Sequence, residues 1–275
     1  MPLLDVNGAS LFYQDTQQQD PPRDRPAILF SHGLLWSGEM FSEQIAALRG
    51  QHRCVSYDHR GQGKSPQSQT PFDMETLYLD AVTIIEKLQL GPVHFVGLSM
   101  GGFVGMRLAA RRPDLVRSLS LLETAADPEP WPNIPKYKAL SFLAGVFGFR
   151  SMVRPIMRIM FGSAFLQDPG RTTLRKQMED HLAALRHEPT EEALASVIKR
   201  KPILPELGRI SAPTLVVHGE EDRAIVLPRA KQMAAAIKGA RFVLVPRAGH
   251  TSSVEEPALV TDALRTFFTQ LQAQS

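Results

Sequence analysis

The stretch Gly97-Leu98-Ser99-Met100-Gly101 restricts the fold of this chain more than any other. It follows a short apolar run, 93–98, and opens onto a helix-like run, 102–110. A strand, a Gly-x-Ser-x-Gly turn and a helix are the context of a nucleophile elbow. The turn is so sharp that the serine backbone is strained, and side chains two residues to either side would collide. Such a turn points the Ser99 hydroxyl out of a sheet and leaves the next backbone N–H free.

The flanking sequence supplies a sheet for that turn. Residues 3–6 and 10–14 flank Asn7-Gly8, a hairpin signal. Apolar strands are expected at 27–31, 52–57, 93–98 and 116–122, with a polar Gln/Asp/Pro connector over 15–26. Helical spacing is found at 40–48, at 74–90 and from the elbow to Arg112. Alternating strands and helices imply βαβ units and a mainly parallel sheet covered on both faces. The rhythm breaks at Asp127. From there to Pro205 only helical runs appear, at 135–149, 151–161, 171–186 and 190–200. Strands return at 214–218 and 241–245, with helices at 228–238 and 257–272. The expected organisation is an α/β core of residues 1–126 and 206–275. A helical insertion, 127–205, would form a lid over the carboxyl ends of the strands.

The formal charge is only +3, and no Lys/Arg run exceeds the three residues 199–201. Nucleic-acid binding is therefore not expected. Cys54 is the single cysteine, which excludes an internal disulfide and fits a reducing compartment. The first residues carry neither the basic nor the apolar region of a secretory signal. No apolar segment approaches the ~20 residues that span a bilayer. The expectation is a soluble, cytoplasmic protein.

A serine hydroxyl is a poor nucleophile until a base takes its proton and an acid orients that base. The strand 214–218 runs into Gly219-Glu220-Glu221-Asp222, and 241–245 runs into Pro246-Arg247-Ala248-Gly249-His250. Serine, acid and histidine thus follow three separate strands, in the order used by α/β-hydrolases. His32-Gly33, the run Asp58 to Ser65, Gly97 to Gly102, Gly219 to Asp222 and Gly249 to Pro257 also occur in order. On these motifs the chain resembles the α/β-hydrolase superfamily over nearly its whole length. Tyr57-Asp58-His59-Arg60-Gly61 and the segment around His250 most resemble the branch of 3-oxoadipate enol-lactonases, cofactor-free haloperoxidases and carboxylesterases.

The resemblance implies an eight-stranded, mainly parallel sheet with a helical cap. Ser99 would be the nucleophile, His250 the base and Asp222 its orienting acid. Glu220, Glu221 and Glu123 are the rival acids. The oxyanion would rest on the backbone N–H groups of Met100 and Leu34. The implied reaction is hydrolysis of a small carboxylic ester or lactone through an acyl-enzyme, with no cofactor and no metal. Two alternatives stay open. One is a carbon–carbon hydrolase of ring-cleavage products on the same triad, although Thr251-Ser252 follows His250 where such enzymes often carry an aromatic. The other is a non-catalytic receptor built on the fold. Epoxide hydrolases and dehalogenases use a carboxylate where this chain has Ser99.

Other residues carry smaller expectations. His32 is expected to brace the oxyanion loop, and Asp58 and Arg60 to hold a turn as an internal ion pair. His94 reads as a core residue. His59, His181, His187 and His218 lack metal-ligand spacing. Trp36 and Trp131 are candidate walls of the substrate pocket. Met152, Met157, Met160 and Phe161 read as lid core, with direct substrate contact as the compatible alternative. The insertion carries twelve Lys/Arg against eight Asp/Glu, a solvated face or a means of steering an acidic substrate. Its apolar run 139–149, ending at Arg150, has the length of a packed lid helix, with contact to a membrane or lipid as the alternative.

Overall fold

Asn7 and Gly8 both adopt positive φ, 47° and 76°, the turn that suits a two-residue hairpin. They join β1 (Leu3–Val6) to β2 (Ala9–Asp15), which pair antiparallel. The computed structural model describes residues 2–18 and 25–273, so half of the expected 15–26 connector, residues 19–24, lies outside the described residues. The sheet continues with β3 (Ala27–Ser31), β4 (Arg53–Tyr57), β5 (Val93–Leu98), β6 (Val116–Leu122), β7 (Thr214–Gly219) and β8 (Arg241–Val245). Its order is β1-β2-β4-β3-β5-β6-β7-β8. The strands from β3 to β8 pair parallel, and β2 pairs antiparallel with β4.

The central strands β3, β5 and β7 are buried along their whole length because both faces of the sheet are covered there. Successive side chains alternate between two cores. Leu29 and Phe95 join one cluster, and Ile28, Phe30, Val96 and Leu98 join the other. The helices are α1 (Ser42–Leu48), α2 (Met74–Lys87) and α3 (Met100–Arg111) ahead of the break. α2 and α3 cover the first face. Asp73 starts α2 by accepting a hydrogen bond from the Thr76 N–H, at 2.8 Å.

Between β6 and β7 the chain forms α4 (Asn133–Phe147), α5 (Phe149–Met160), α6 (Ser163–Gln167), α7 (Thr172–Ala183) and α8 (His187–Lys199). No strand occurs there among the described residues. The expected run 135–149 ends at Phe147 because Gly148, at φ 77°, breaks the helix. α6 is short and was not expected. The ends of this segment meet where the Ile203 N–H donates to the Ala126 carbonyl at 2.9 Å. Val153, Ile156, Met157 and Met160 of α5 belong to the same core cluster as Phe30 and Leu98, so the segment packs onto the sheet's own core. The chain closes with α9 (Leu227–Ala236), the single turn α10 (Ser252–Glu255) and α11 (Pro257–Gln272). α11 buries Val260, Leu264, Phe267 and Phe268 on the second face, beside α1.

Candidate active site

Ser99 stands between β5 and α3 at φ 52° and ψ −109°, a strained conformation for a residue with a side chain. The surroundings enforce it. The Ser99 N–H donates to Leu122 O at 2.8 Å, and Thr124 Oγ1 donates to Ser99 O at 2.9 Å. A Cβ on Gly97 would lie 2.3 Å from Gly101 O, and one on Gly101 would lie 2.0 Å from Ser31 O. Only glycine fits at either position, which accounts for the motif.

His250 follows β8, and its Nδ1 lies 2.8 Å from Asp222 Oδ2. The other carboxylate oxygen, Asp222 Oδ1, accepts from the N–H groups of Ala224 at 2.8 Å and Ile225 at 2.9 Å. Two fixed donors and one imidazole thus hold the carboxylate at the end of β7. The rival acids face elsewhere. Glu220 accepts from the Arg247 N–H, and Glu221 accepts from the Ser163 N–H and hydroxyl at 2.6 Å. Glu123 lies at the end of β6, wholly buried, and burial pushes its carboxyl well above the usual carboxylate range.

Ser99 and His250 line one cavity that is partly open to solvent. Among the described residues no hydrogen bond joins the two side chains. The cavity walls are mostly apolar: Leu34, Phe103 and Ile225 from the core, Leu140, Phe149 and Ile156 from the insertion. Its few polar side chains besides Ser99 and His250 include Tyr137, Ser141 and Thr190. Met100 opens α3, so its N–H has no carbonyl one turn back to bind. Leu34 faces the same cavity from the loop after β3.

His32 braces that loop. The His59 N–H donates to His32 Nε2 at 2.9 Å, which places the ring proton on Nδ1, where it bonds Gly33 O at 2.8 Å. Asp58 and Arg60 do not pair with each other. Asp58 accepts from the N–H groups of Gly38 and Lys64, at 2.7 and 2.8 Å, whereas Arg60 pairs with Asp80 at 2.6 Å inside the core. The expected ion pair is therefore replaced by two separate structural contacts. Both tryptophans also depart from expectation. Trp36 is buried against Phe161, stacks on His181 and lines a second, more polar cavity. Trp131 is 80% exposed, and neither residue lines the cavity at Ser99.

Glu255 is the residue that reading the sequence missed. Its carboxylate accepts from the N–H groups of Gly162, Gly249 and Thr251, at 2.7, 2.9 and 3.2 Å. The His250 N–H donates to Met160 O at 3.0 Å. The histidine loop is thereby stapled to the end of α5. The available signal was a glutamate inside the string Gly249 to Pro257, five residues after His250.

The model of the alpha/beta hydrolase fold family matches residues 26–257. The chain belongs to this family. It is 26% identical over 248 residues to a protein of Pseudomonas syringae pv. syringae assigned as carbamate hydrolase RutD, covering 89% of this chain and 94% of that one. It is 26% identical over 247 residues to 3-oxoadipate enol-lactonase 2 of Acinetobacter baylyi, covering 88% of each. The crystal structure of an enol-lactonase from Burkholderia xenovorans superimposes with a TM-score of 0.87 at 28% identity, over 98% of this chain and 100% of that one. The hydrolase fold and the likeness to lactonases agree with the motifs of the sequence.

The buried histidines of this hydrolase set its response to acid. Burial lowers the pKa of His32, His52, His59, His94 and His218, that of His94 to about 3. Folded, these rings stay neutral; unfolded, they bind protons below about 6.5. Unfolding then takes up protons, so stability falls as pH drops below that value, by at most about 1.4 kcal/mol per pH unit for each ring. Glu123, Glu255 and Asp80, all raised chiefly by burial, act in the opposite sense but are fewer. Calorimetry is expected to show a lower Tm at pH 5.5 than at pH 7.5. A Tm that held or rose on acidification would contradict this balance.

Proposed function

We propose that this protein is a serine hydrolase of carboxylic esters or lactones, with Ser99, His250 and Asp222 as its triad. The observation that carries the reading is the strained Ser99 opening onto the same cavity as His250, whose Nδ1 is fixed by Asp222 at 2.8 Å. In this reading His250 Nε2 takes the Ser99 proton as Oγ attacks the carbonyl carbon. The carbonyl oxygen becomes an oxyanion bound by the N–H groups of Leu34 and Met100. The tetrahedral adduct collapses, His250 delivers the proton to the leaving oxygen, and an acyl-Ser99 remains. Water, deprotonated by His250, attacks the acyl carbon, and the acid leaves as Ser99 regains its proton.

The cavity supports a substrate with an apolar acyl or alcohol portion, because its walls are mostly apolar. We read residues 127–205 as the cap that shapes this cavity. Glu221 with Ser163, and Glu255 with Gly162, would hold the cap beside the catalytic loops. The buried lone thiol of Cys54, pushed up to about 12, fits a reducing, cytoplasmic setting. A fluorophosphonate probe tests the reading together with a panel of p-nitrophenyl esters, small lactones and carbamates. The wild-type protein is expected to be labelled and to turn over apolar esters fastest. Wild-type protein that resists labelling would overturn the assignment.

A further inference from the structure

Beyond Lys138, α4 carries apolar residues on every side with Ser141 as its one polar side chain, yet of its residues only Ala144 is buried. A helix of that composition normally lies inside a protein. Here the inner face, through Leu140 and Ser141, lines the cavity at Ser99. The outer face is open: Phe142 is 69% exposed, Val146 57% and Phe147 66%. Phe142 and Val146 are one helical turn apart, with Leu143 and Phe147 one position further round. Half of the exposed large hydrophobic residues among the described ones lie between 131 and 147. A cluster of this kind marks an interaction surface.

The charges around it select the partner. From 130 to 167 the sequence has no Asp or Glu, but it has Lys136, Lys138, Arg150, Arg154 and Arg158. All five are exposed, and none pairs with a carboxylate among the described residues. The three arginines recur every fourth residue on α5, opposite the face that carries Val153, Ile156 and Met160. A second copy of the chain, docked through the same face, would set one group of unpaired cations against another, with no carboxylate between 130 and 167 to offset them. An anionic lipid surface meets both features at once, with apolar side chains entering the acyl boundary and Lys and Arg reaching the headgroups. No described helix is long and apolar enough to cross a membrane, so the contact is peripheral.

We propose that α4 and the arginine row of α5 form a docking surface for anionic lipid, on the outer wall of the cavity that holds Ser99. The proposal goes beyond the hydrolase reading and does not depend on it, since Ser99→Ala is expected to dock like the wild type. The test is co-sedimentation with vesicles of phosphatidylcholine alone or mixed equally with phosphatidylglycerol. Trp131 provides a second readout, because Trp36 is buried and Trp131 is the exposed tryptophan.

Wild-type protein is expected to bind the mixed vesicles, to bind phosphatidylcholine weakly, and to show a blue shift of tryptophan emission. High salt should reverse much of the binding. Phe142→Ser with Phe147→Ser, and separately Lys138→Glu with Arg150→Glu, should each weaken binding about tenfold or more. Both pairs should keep the wild-type melting temperature. Equal binding to both vesicle types would overturn the proposal, as would no binding and no spectral shift. A dimer in sedimentation equilibrium that Phe142→Ser with Phe147→Ser dissociates, without vesicle binding, would assign the face to a second copy instead.

Discussion

Ser99→Ala is expected to lower kcat toward an apolar p-nitrophenyl ester about 10⁶-fold and to abolish fluorophosphonate labelling. In the proposed reading the Oγ is the atom that His250 activates and that attacks the bound carbonyl. Its removal leaves the Leu34 and Met100 donors and the apolar walls intact. Substrate binding and a weak residual rate should therefore survive, a loss in kcat far larger than any change in KM. The alanine suits the fold, because the strain at Ser99 is backbone strain imposed by Leu122, Thr124 and the close approach of Gly101 to Ser31. A melting temperature close to wild type separates loss of chemistry from loss of structure. Ser99→Ala that kept more than a hundredth of the wild-type rate would show that another group performs the attack.

The elbow was legible because its demand is steric and local. Two glycines that admit no Cβ leave the same mark in a sequence as in a structure. The proximity of Ser99, Asp222 and His250 was legible for a related reason: each lies in the loop after a strand, and a parallel sheet gathers those strand ends at one edge. What escaped depends on which way a side chain faces after the chain packs. Trp36 lies two residues beyond Leu34, yet it turns into the core against Phe161, away from the cavity. Trp131 precedes α4 and faces solvent. α4 has no polar stripe, so its periodicity could not say that one side lines a cavity while the other stays bare. The partners of Asp58 and Arg60 were misread because the turn spreads their side chains to opposite sides, one to backbone N–H groups and one to Asp80. Glu255 acts through backbone groups and the Thr251 hydroxyl, 4 to 93 residues away, which no spacing rule records.

The choice among carboxylates is decided by Asp222→Asn set against Glu123→Gln. Asp222→Asn should cost about 10⁴ in kcat with little change in structure. The amide oxygen can still accept from Ala224 and Ile225, which turns the amide NH₂ toward His250 Nδ1. An imidazole that accepts at Nδ1 carries its proton on Nε2, where it cannot take one from Ser99. Glu123 has no such part. It is wholly buried, lies near the charges of Asp222 and Glu255, and holds its proton well above the ordinary carboxylate range. A neutral acid gives no electrostatic support to an imidazolium, so Glu123→Gln should leave kcat near the wild-type value. Its effect should appear in stability. The unfolded chain releases this proton above about 4.5 while the folded chain keeps it, so the wild type loses stability with rising pH through that window. The glutamine variant is then expected to melt higher than wild type at pH 7 and at the same temperature near pH 4. If Glu123→Gln abolished turnover and Asp222→Asn spared it, the acid would belong to β6 and the base would have to be drawn toward it.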